Sequence, residues 1–468
     1  MAKLLFTLWP FPGHIHPNVA IARVLCDRGH QVAFYTGGSM QASLEGEGLR
    51  CFPFQRVEEA RIAAAVLALD ALSLKWGSVR RRKALLRDWL LGTLDAQLED
   101  LAAVLRLWRP DVIVCDPAMW APLLVLQEAT QTPLAIMSYV AACMLPGPDG
   151  PILGLPLPRP RGRPARLSRC VLRALAHLAA ADVRRAANCY RGRYGLSKIG
   201  TSVTAFAGQM PLYLVPSSPA FDRDRRGLPR SVHYVGPCTW DKPAGNPRAP
   251  WLDELPRDRP VVYVTEGTLH AKPPLLLRAA LEGLAALPVR VIVTTGMHRD
   301  PTEIGLGAIP ANARVERWVP HSDLFCRTDV VVTTGGTGTV LAALSAGVPL
   351  VVVPTAWDQP ENAWRVSEAG AGIRLAPRQC TPDRLRSAVT RVLDDPSFRS
   401  NAGRLAADFA RYGGAAQAAR LIEQLAADQG DRSRGGNAAL PMTVAGGTAA
   451  RSANDATAAA PRGGSEGM

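Results

Sequence analysis

Short apolar runs recur along the chain, each bounded by Gly, Pro or polar residues and alternating with stretches of helical periodicity. The first, Lys3 to Trp9, is β-compatible, and the Pro/Gly/His segment Pro10 to Pro17 behind it predicts a loop. Asn18 to Arg28 carries apolar residues at helical spacing, Gly29 closes that helix, and Gln31 to Thr36 returns to a strand. Strand, helix, strand is the opening unit of a doubly wound sheet. Ala84 to Leu107 predicts a long helix, and Val112 to Cys115 and Leu134 to Ser138 predict further strands, so the first half reads as an open α/β domain.

Residues 236–250 (Gly-Pro-Cys-Thr-Trp-Asp-Lys-Pro-Ala-Gly-Asn-Pro-Arg-Ala-Pro) hold repeated prolines and little apolar content, as an interdomain linker does. The alternation then restarts. Strands are predicted at Val261 to Thr265, Arg290 to Thr294, Val330 to Thr334 and Leu350 to Val353, with helices at Pro274 to Ala286 and Thr339 to Ala346. From about Asp428 the chain turns Gly/Ala/Ser/Asp/Arg-rich without periodicity, which reads as a disordered tail. The expected organisation is therefore an α/β domain over 1–240, a second over 241–427, and a tail over 428–468. Two such halves leave a cleft to which the carboxyl ends of strands from both can point.

Composition narrows the function classes. The 468 residues are 47% hydrophobic, 20% charged and 6% aromatic, enough apolar content for sizeable cores. The formal charge of +14 is uneven: between 151 and 200, eleven Arg and Lys face one Asp. That argues against a nucleic-acid binder and for one basic surface segment. Within it Arg166, Arg169 and Arg173 share a helical face opposite Leu167, Val171, Leu175 and Leu178. Its apolar face is expected to pack on the first domain; the other reading is peripheral contact with an anionic membrane. Nine scattered cysteines without close pairs imply reduced core thiols and no zinc site. The apolar start Leu4 to Leu8 is cut by Trp9-Pro10-Phe11-Pro12, and no run of ~18 apolar residues is unbroken, so neither an export signal nor a spanning helix is expected and the location reads as cytoplasmic.

Thr333-Thr334-Gly335-Gly336-Thr337-Gly338-Thr339 follows an apolar strand and opens a helix, where backbone amides can cradle a phosphate. Glycines also simply close such turns. No Lys follows, which excludes a Walker loop, and the spacing is not that of a dinucleotide site. The larger stretch adds Trp318-Val319-Pro320-His321 before the loop, then Gly347-Val348-Pro349, Pro354 and Trp357-Asp358-Gln359-Pro360-Glu361-Asn362 after it. With Gly13-His14-Ile15-His16-Pro17 behind the first strand, the chain resembles the UDP-glycosyltransferase family over about residues 3 to 425. That resemblance implies two Rossmann-like domains facing across a cleft (GT-B) and inverting sugar transfer from a nucleotide-sugar donor to a hydrophobic hydroxylated acceptor, with no cofactor.

Carried over by position, the resemblance implies that Trp318 stacks on the base and Val319 offers it backbone hydrogen bonds. Gly267, Thr268, Thr334, Gly335, Gly336, Gly338 and Thr339 would hold the diphosphate, and Asp358 and Gln359 the sugar hydroxyls. His14 and Asp116 map to the catalytic pair. An imidazole, with an ordinary pKa near ~6.5, accepts the hydroxyl proton during attack, and a carboxylate on its far nitrogen fixes the tautomer. His16 is the nearest rival base. No Asp-x-Asp lies near the glycine loop, so helix dipole and amides are expected to replace a metal. Two positions depart from the family pattern: Thr334 stands where a diphosphate-binding histidine is usual, and Ala342 where an acidic ribose ligand is usual. The second makes a dTDP-sugar as plausible a donor as a UDP-sugar. An epimerase or hydrolase acting on the nucleotide sugar, or an auxiliary subunit without catalysis, remain the alternatives.

Overall fold

Parallel strands that receive their connections on both faces must be apolar on both faces, and the runs identified above are. The computed structural model describes residues 1–70, 87–138, 162–222, 227–240, 249–268, 273–297 and 299–433. Seven strands form the first sheet: β1 (Lys3–Thr7), β2 (Gln31–Thr36), β3 (Arg50–Pro53), β4 (Val112–Cys115), β5 (Leu134–Met137), β6 (Leu212–Val215) and β7 (Val232–Tyr234). Six form the second: β8 (Val261–Thr265), β9 (Arg290–Thr294), β10 (Ala313–Glu316), β11 (Val330–Thr333), β12 (Leu350–Val352) and β13 (Gly372–Arg374). The spatial orders are β3-β2-β1-β4-β5-β6-β7 and β10-β9-β8-β11-β12-β13, with parallel pairing throughout. Strand order reverses between β1 and β4 and again between β8 and β11. A doubly wound sheet opens its ligand crevice at that reversal.

Several elements differ from the expectation. The segment Pro10 to Pro17 is not a loop: a helix runs Pro12–Asp27 with Pro12 in its first turn and Pro17 inside it. Pro12 presets the helical φ where an N–H is not needed. Pro17 lacks the amide that would reach the Gly13 carbonyl, and Asn18 Nδ2 bonds the His14 carbonyl at 2.7 Å. The stretch Ala84 to Leu107 breaks where described: a π-helical turn at Arg87–Leu91 gives way at Gly92 to a helix over Leu94–Trp108. A Cβ on Gly92 would lie 2.2 Å from the Asp88 carbonyl oxygen, so the tight turn demands glycine.

Asp428 to Ser433, expected at the start of the tail, belong to a helix that spans Gly414–Ser433; residues 434–468 lie outside the described residues. In this helix Ala418, Ala419 and Ile422 are buried against Leu4, Phe6 and Val112 of the first sheet, and Glu423 meets Arg28 at 2.8 Å and His30 at 3.0 Å. The last described helix thus completes the core of the first half. The reverse also holds: Phe221, on the first half's last turn, packs in the second core against Phe409. The start of the expected linker is packed rather than loose, with Val235 and Cys238 buried. Gly236 (φ 77°) would put a Cβ 2.9 Å from the Phe409 carbonyl oxygen, where the two chain crossings lie side by side. Arg365, fully buried, pairs across the halves with buried Asp222, whose other oxygen accepts from Tyr234 at 2.5 Å.

The basic helix spans Gly162–Ala179. Its apolar stripe does not pack on the first domain, since Leu167, Val171, Leu175 and Leu178 are 52–68% exposed. The following helix, Ala181–Arg193, makes the contact instead through buried Ala187 and Arg191. The Arg166 side chain lies outside the described residues. No described helix is long and apolar enough to cross a membrane.

Because Ile422 is fully buried beneath the first sheet, Ile422→Ala should cost about 2–4 kcal/mol in urea unfolding monitored on the first half. A loss below about 0.5 kcal/mol would mean that this helix is not part of that core.

Candidate active site

The reversal in the first sheet brings the two candidate catalytic residues together. β1 and β4 are neighbours with Thr7 opposite Cys115, so both chains leave the sheet at one edge. Asp116 is the first residue beyond β4 and its amide bonds the Thr7 carbonyl at 3.0 Å. Beyond β1 the chain turns at Pro10 and Phe11 into the first helix, whose opening turn presents His14. His14 Nδ1 lies 2.6 Å from Asp116 Oδ2. The other carboxylate oxygen accepts from the Ala118 amide at 2.7 Å. A fully buried carboxylate so held accepts a hydrogen bond from Nδ1–H, which leaves the lone pair on Nε2. The imidazole itself is 13% exposed, enough for a reactant to reach it. His16 points elsewhere, edge-on to Trp240 at 4.9 Å between ring centres.

The second reversal carries the glycine loop. Gly335 follows β11 with φ 94°, and a Cβ there would meet Val352 at 2.5 Å, so both conformation and space require glycine. Gly336 caps the helix Thr337–Ser345. A Cβ on Gly336 or Gly338 would meet nothing within 4 Å, so the backbone is open to approach. The first-turn amides of Gly338 and Thr339 have no acceptor within the helix, and with the macrodipole they make an anion-binding end. Gly267 (φ 75°) and exposed Thr268 follow β8 alongside.

The side chains expected to touch donor are differently occupied. Thr334 is buried and its hydroxyl donates to the Glu266 carbonyl at 2.9 Å, fastening the β8 loop to the β11 loop. Asp358 Oδ2 accepts from the Thr337 amide at 3.2 Å, the Thr337 hydroxyl at 2.5 Å and Asn362 Nδ2 at 2.9 Å. A carboxylate therefore already stands at the glycine-loop helix. Burial raises its pKa despite those hydrogen bonds. Gln359 turns its amide oxygen on Thr355 and Ala356, shaping the loop before it. Trp318 is half-buried and Val319 buried; neither Val319 backbone group bonds another described residue. Ala342, partly buried, offers no acceptor.

Sequence reasoning assigned no role to three sets of contacts. Thr337 and Asn362 hold Asp358; both stand inside the quoted motifs without a role of their own assigned there. Glu266, raised by burial, pairs with Arg299 at 2.8 Å beneath the Gly267 turn, a contact that nothing in the spacing of 33 residues announces. Trp357, from the second half, meets Trp89 of the first at 6.3 Å between ring centres.

Parallel α/β halves meeting edge to edge, one offering an imidazole and a carboxylate and the other a glycine-lined helix end, define a GT-B glycosyltransferase. Residues 278–425 match the family described as erythromycin biosynthesis protein CIII-like, C-terminal domain. The 4'-demethylrebeccamycin synthase of Lentzea aerocolonigenes is 35% identical over 428 residues, covering 91% of this chain and 99% of that one. The calicheamicin glycosyltransferase CalG4 superposes with a TM-score of 0.69 at 23% identity, over 91% of this chain and 98% of that one. The spinosyn rhamnosyltransferase SpnG, solved in complex with thymidine diphosphate, does so at 0.66 and 20%, over 90% and 100%. The chain belongs to the bacterial natural-product glycosyltransferase family.

Two outcomes follow from this geometry. His14→Ala should lower turnover by ~10²- to 10⁴-fold with nucleotide affinity unchanged, whereas His16→Ala should not; the reverse pattern in steady-state kinetics would transfer the role of base to His16. For Asp358, a folded-state pKa above the ordinary 3.8 means that ionisation costs folding free energy. That cost is absent below the ordinary value and sets in as pH rises through the raised one. The melting temperature of Asp358→Asn relative to the parent should therefore climb as pH rises above about 3.8 and level off once the raised value is passed; a difference independent of pH would contradict the desolvated carboxylate.

Proposed function

We propose that the protein transfers a sugar from a nucleoside diphosphate donor to a hydroxyl of an apolar small-molecule acceptor, by one inverting displacement. The observation that carries the reading is the 2.6 Å contact of His14 with buried Asp116 at the switch point of one sheet, facing the glycine-loop helix at the switch point of the other. As the acceptor oxygen bonds the anomeric carbon, its proton passes to His14 Nε2 and the bond from that carbon to the diphosphate oxygen breaks. Asp116 stabilises the imidazolium without taking its proton. The negative charge on the departing diphosphate falls to the Gly338 and Thr339 amides and the dipole behind them.

For the donor we favour a dTDP-sugar. Ala342 removes the usual acceptor for ribose hydroxyls, so a 2′-deoxyribose loses nothing there. That a structural neighbour binds thymidine diphosphate supports the same choice. Thr334, neutral and engaged with Glu266, leaves diphosphate recognition to backbone amides more than to a charged side chain.

Calorimetry with dTDP and UDP, followed by turnover of dTDP- and UDP-glucose in the presence of EDTA, tests the reading. Binding of dTDP and metal-free transfer to a hydroxylated aglycone are expected. Heat with neither nucleotide would indicate an auxiliary subunit, donor consumption without acceptor a hydrolase or epimerase, and activity restored only by Mg²⁺ a metal-dependent transferase.

A further inference from the structure

A row of hydroxyls runs beneath the edge of the second sheet, from the segment behind β10 to the turn behind β8. Strand register sets Thr265 opposite Thr294 at the ends of β8 and β9, and Tyr263, two residues before Thr265, shares its face. Thr294 Oγ1 donates to Thr265 Oγ1 at 3.0 Å, Tyr263 Oη lies 2.8 Å from Thr294 Oγ1, and His321 Nε2 lies 3.4 Å from Tyr263 Oη. The Gly267 amide donates to the same Thr265 oxygen at 3.1 Å. A hydroxyl has one proton to give. With that of Thr294 engaged by Thr265, Tyr263 donates to Thr294 and accepts from His321 Nε2–H, so the row has a single direction and ends on the oxygen that holds the Gly267 turn.

Two observations point beyond packing. Tyr263, Thr265 and Thr294 are buried, where phenylalanine and valine would fill the same space without three hydroxyls to desolvate. The turn they reach is also fastened from two other sides: Thr334 Oγ1 donates to the Glu266 carbonyl at 2.9 Å, and Arg299 Nη1 to the Glu266 carboxylate at 2.8 Å. The Gly267 amide is therefore engaged internally, and exposed Thr268 is what the turn presents. At the far end, half-buried His321 opens a short helix directly behind Trp318-Val319-Pro320, the segment that the resemblance assigns to the base, and stacks on Phe325 at 4.6 Å between ring centres.

We propose that Tyr263, Thr294 and Thr265 are positioning residues that hold the Gly267 turn in register with the base-binding segment, so that one nucleoside diphosphate is gripped at both ends without rearrangement. They act through the turn and through His321, not by contact with the ligand. A ligand held at two points gains most when the points are fixed at the right separation, because the second contact then forms at high effective concentration and without an ordering cost. This rests on the donor-site reading above, in which a nucleoside diphosphate spans from Trp318 to Thr268.

Calorimetry on the full chain tests it with dTDP and UDP, and then with the two fragments of the tighter binder, its nucleoside (thymidine or uridine) and pyrophosphate, measured by displacement. The parent is compared with Thr265→Val, Thr294→Val and Tyr263→Phe, which remove one hydroxyl each, and with Thr265→Ser and Thr294→Ser, which keep it. Loss of one hydroxyl should weaken the intact nucleotide about five- to tenfold. Each fragment engages one end alone and should change by less than about twofold, and the serine variants should stay within about twofold of the parent for every ligand. Should the valine variants fail to fold, Tyr263→Phe, which deletes a single oxygen, carries the comparison. Unchanged nucleotide affinity in the hydroxyl-deleted variants, serine variants as weak as the valine ones, or fragments weakened as much as the intact nucleotide would overturn the register role and leave the donor site standing. A parent that gives heat with neither dTDP nor UDP overturns the donor-site reading and the register role together.

Discussion

A parallel sheet delivers every strand to the same edge, and where strand order reverses the flanking connections diverge to opposite faces. That constraint places nearly everything of functional interest here. β1 and β4 flank one reversal and release His14 and Asp116; β8 and β11 flank the other and release the Gly267 turn and the glycine loop. The register Thr7 opposite Cys115 decides that a residue in the helix after β1 meets the first residue after β4. Shifting that pairing by one residue would turn Asp116 to the other face of the sheet and remove the carboxylate from the imidazole.

The two edges are complementary in charge. On the first, a buried carboxylate is held by an imidazole and an amide, so the site is built to accept a proton and stabilise the cation that results. On the second, a helix end with unspent amides is built to receive negative charge. The proposed displacement of a diphosphate by a hydroxyl would draw on both edges at once. Asp358 already places a carboxylate at the same helix end, accepting from the Thr337 amide at 3.2 Å.

Holding the edges in register is the task of the crossings between halves. Each half lends the other a piece of its core, Phe221 in one direction and Ile422 in the other. Buried Arg365 and Asp222 tie the helix that begins at Gln359 to the last turn of the first half. Truncating one partner of such a pair leaves a buried charge alone, which gives the contact directional specificity whatever its net contribution to stability. Gly236 lies where the two chain crossings pass each other closely enough that no Cβ fits.

The sequence by itself determined the alternation of strands and helices, because strands buried on both faces must be written as apolar runs and those runs are visible in one dimension. The glycine loop stood out because it lies between an apolar strand and a helix, while the imidazole and the carboxylate became candidates through the family resemblance carried by the quoted motifs. The pattern alone misjudged the segment Pro10 to Pro17, where prolines suggest a loop but Pro12 suits a helix start, and it assigned Gly414 to Ala427 to the second domain, whereas Ala418, Ala419 and Ile422 pack in the core of the first. Only the tertiary structure decided which groups meet across long separations: Glu266 with Arg299, Trp89 with Trp357, Asp222 with Arg365, and Asp358 with the Thr337 amide. Those contacts depend on strand order and on the approach of two domains, which no local pattern encodes.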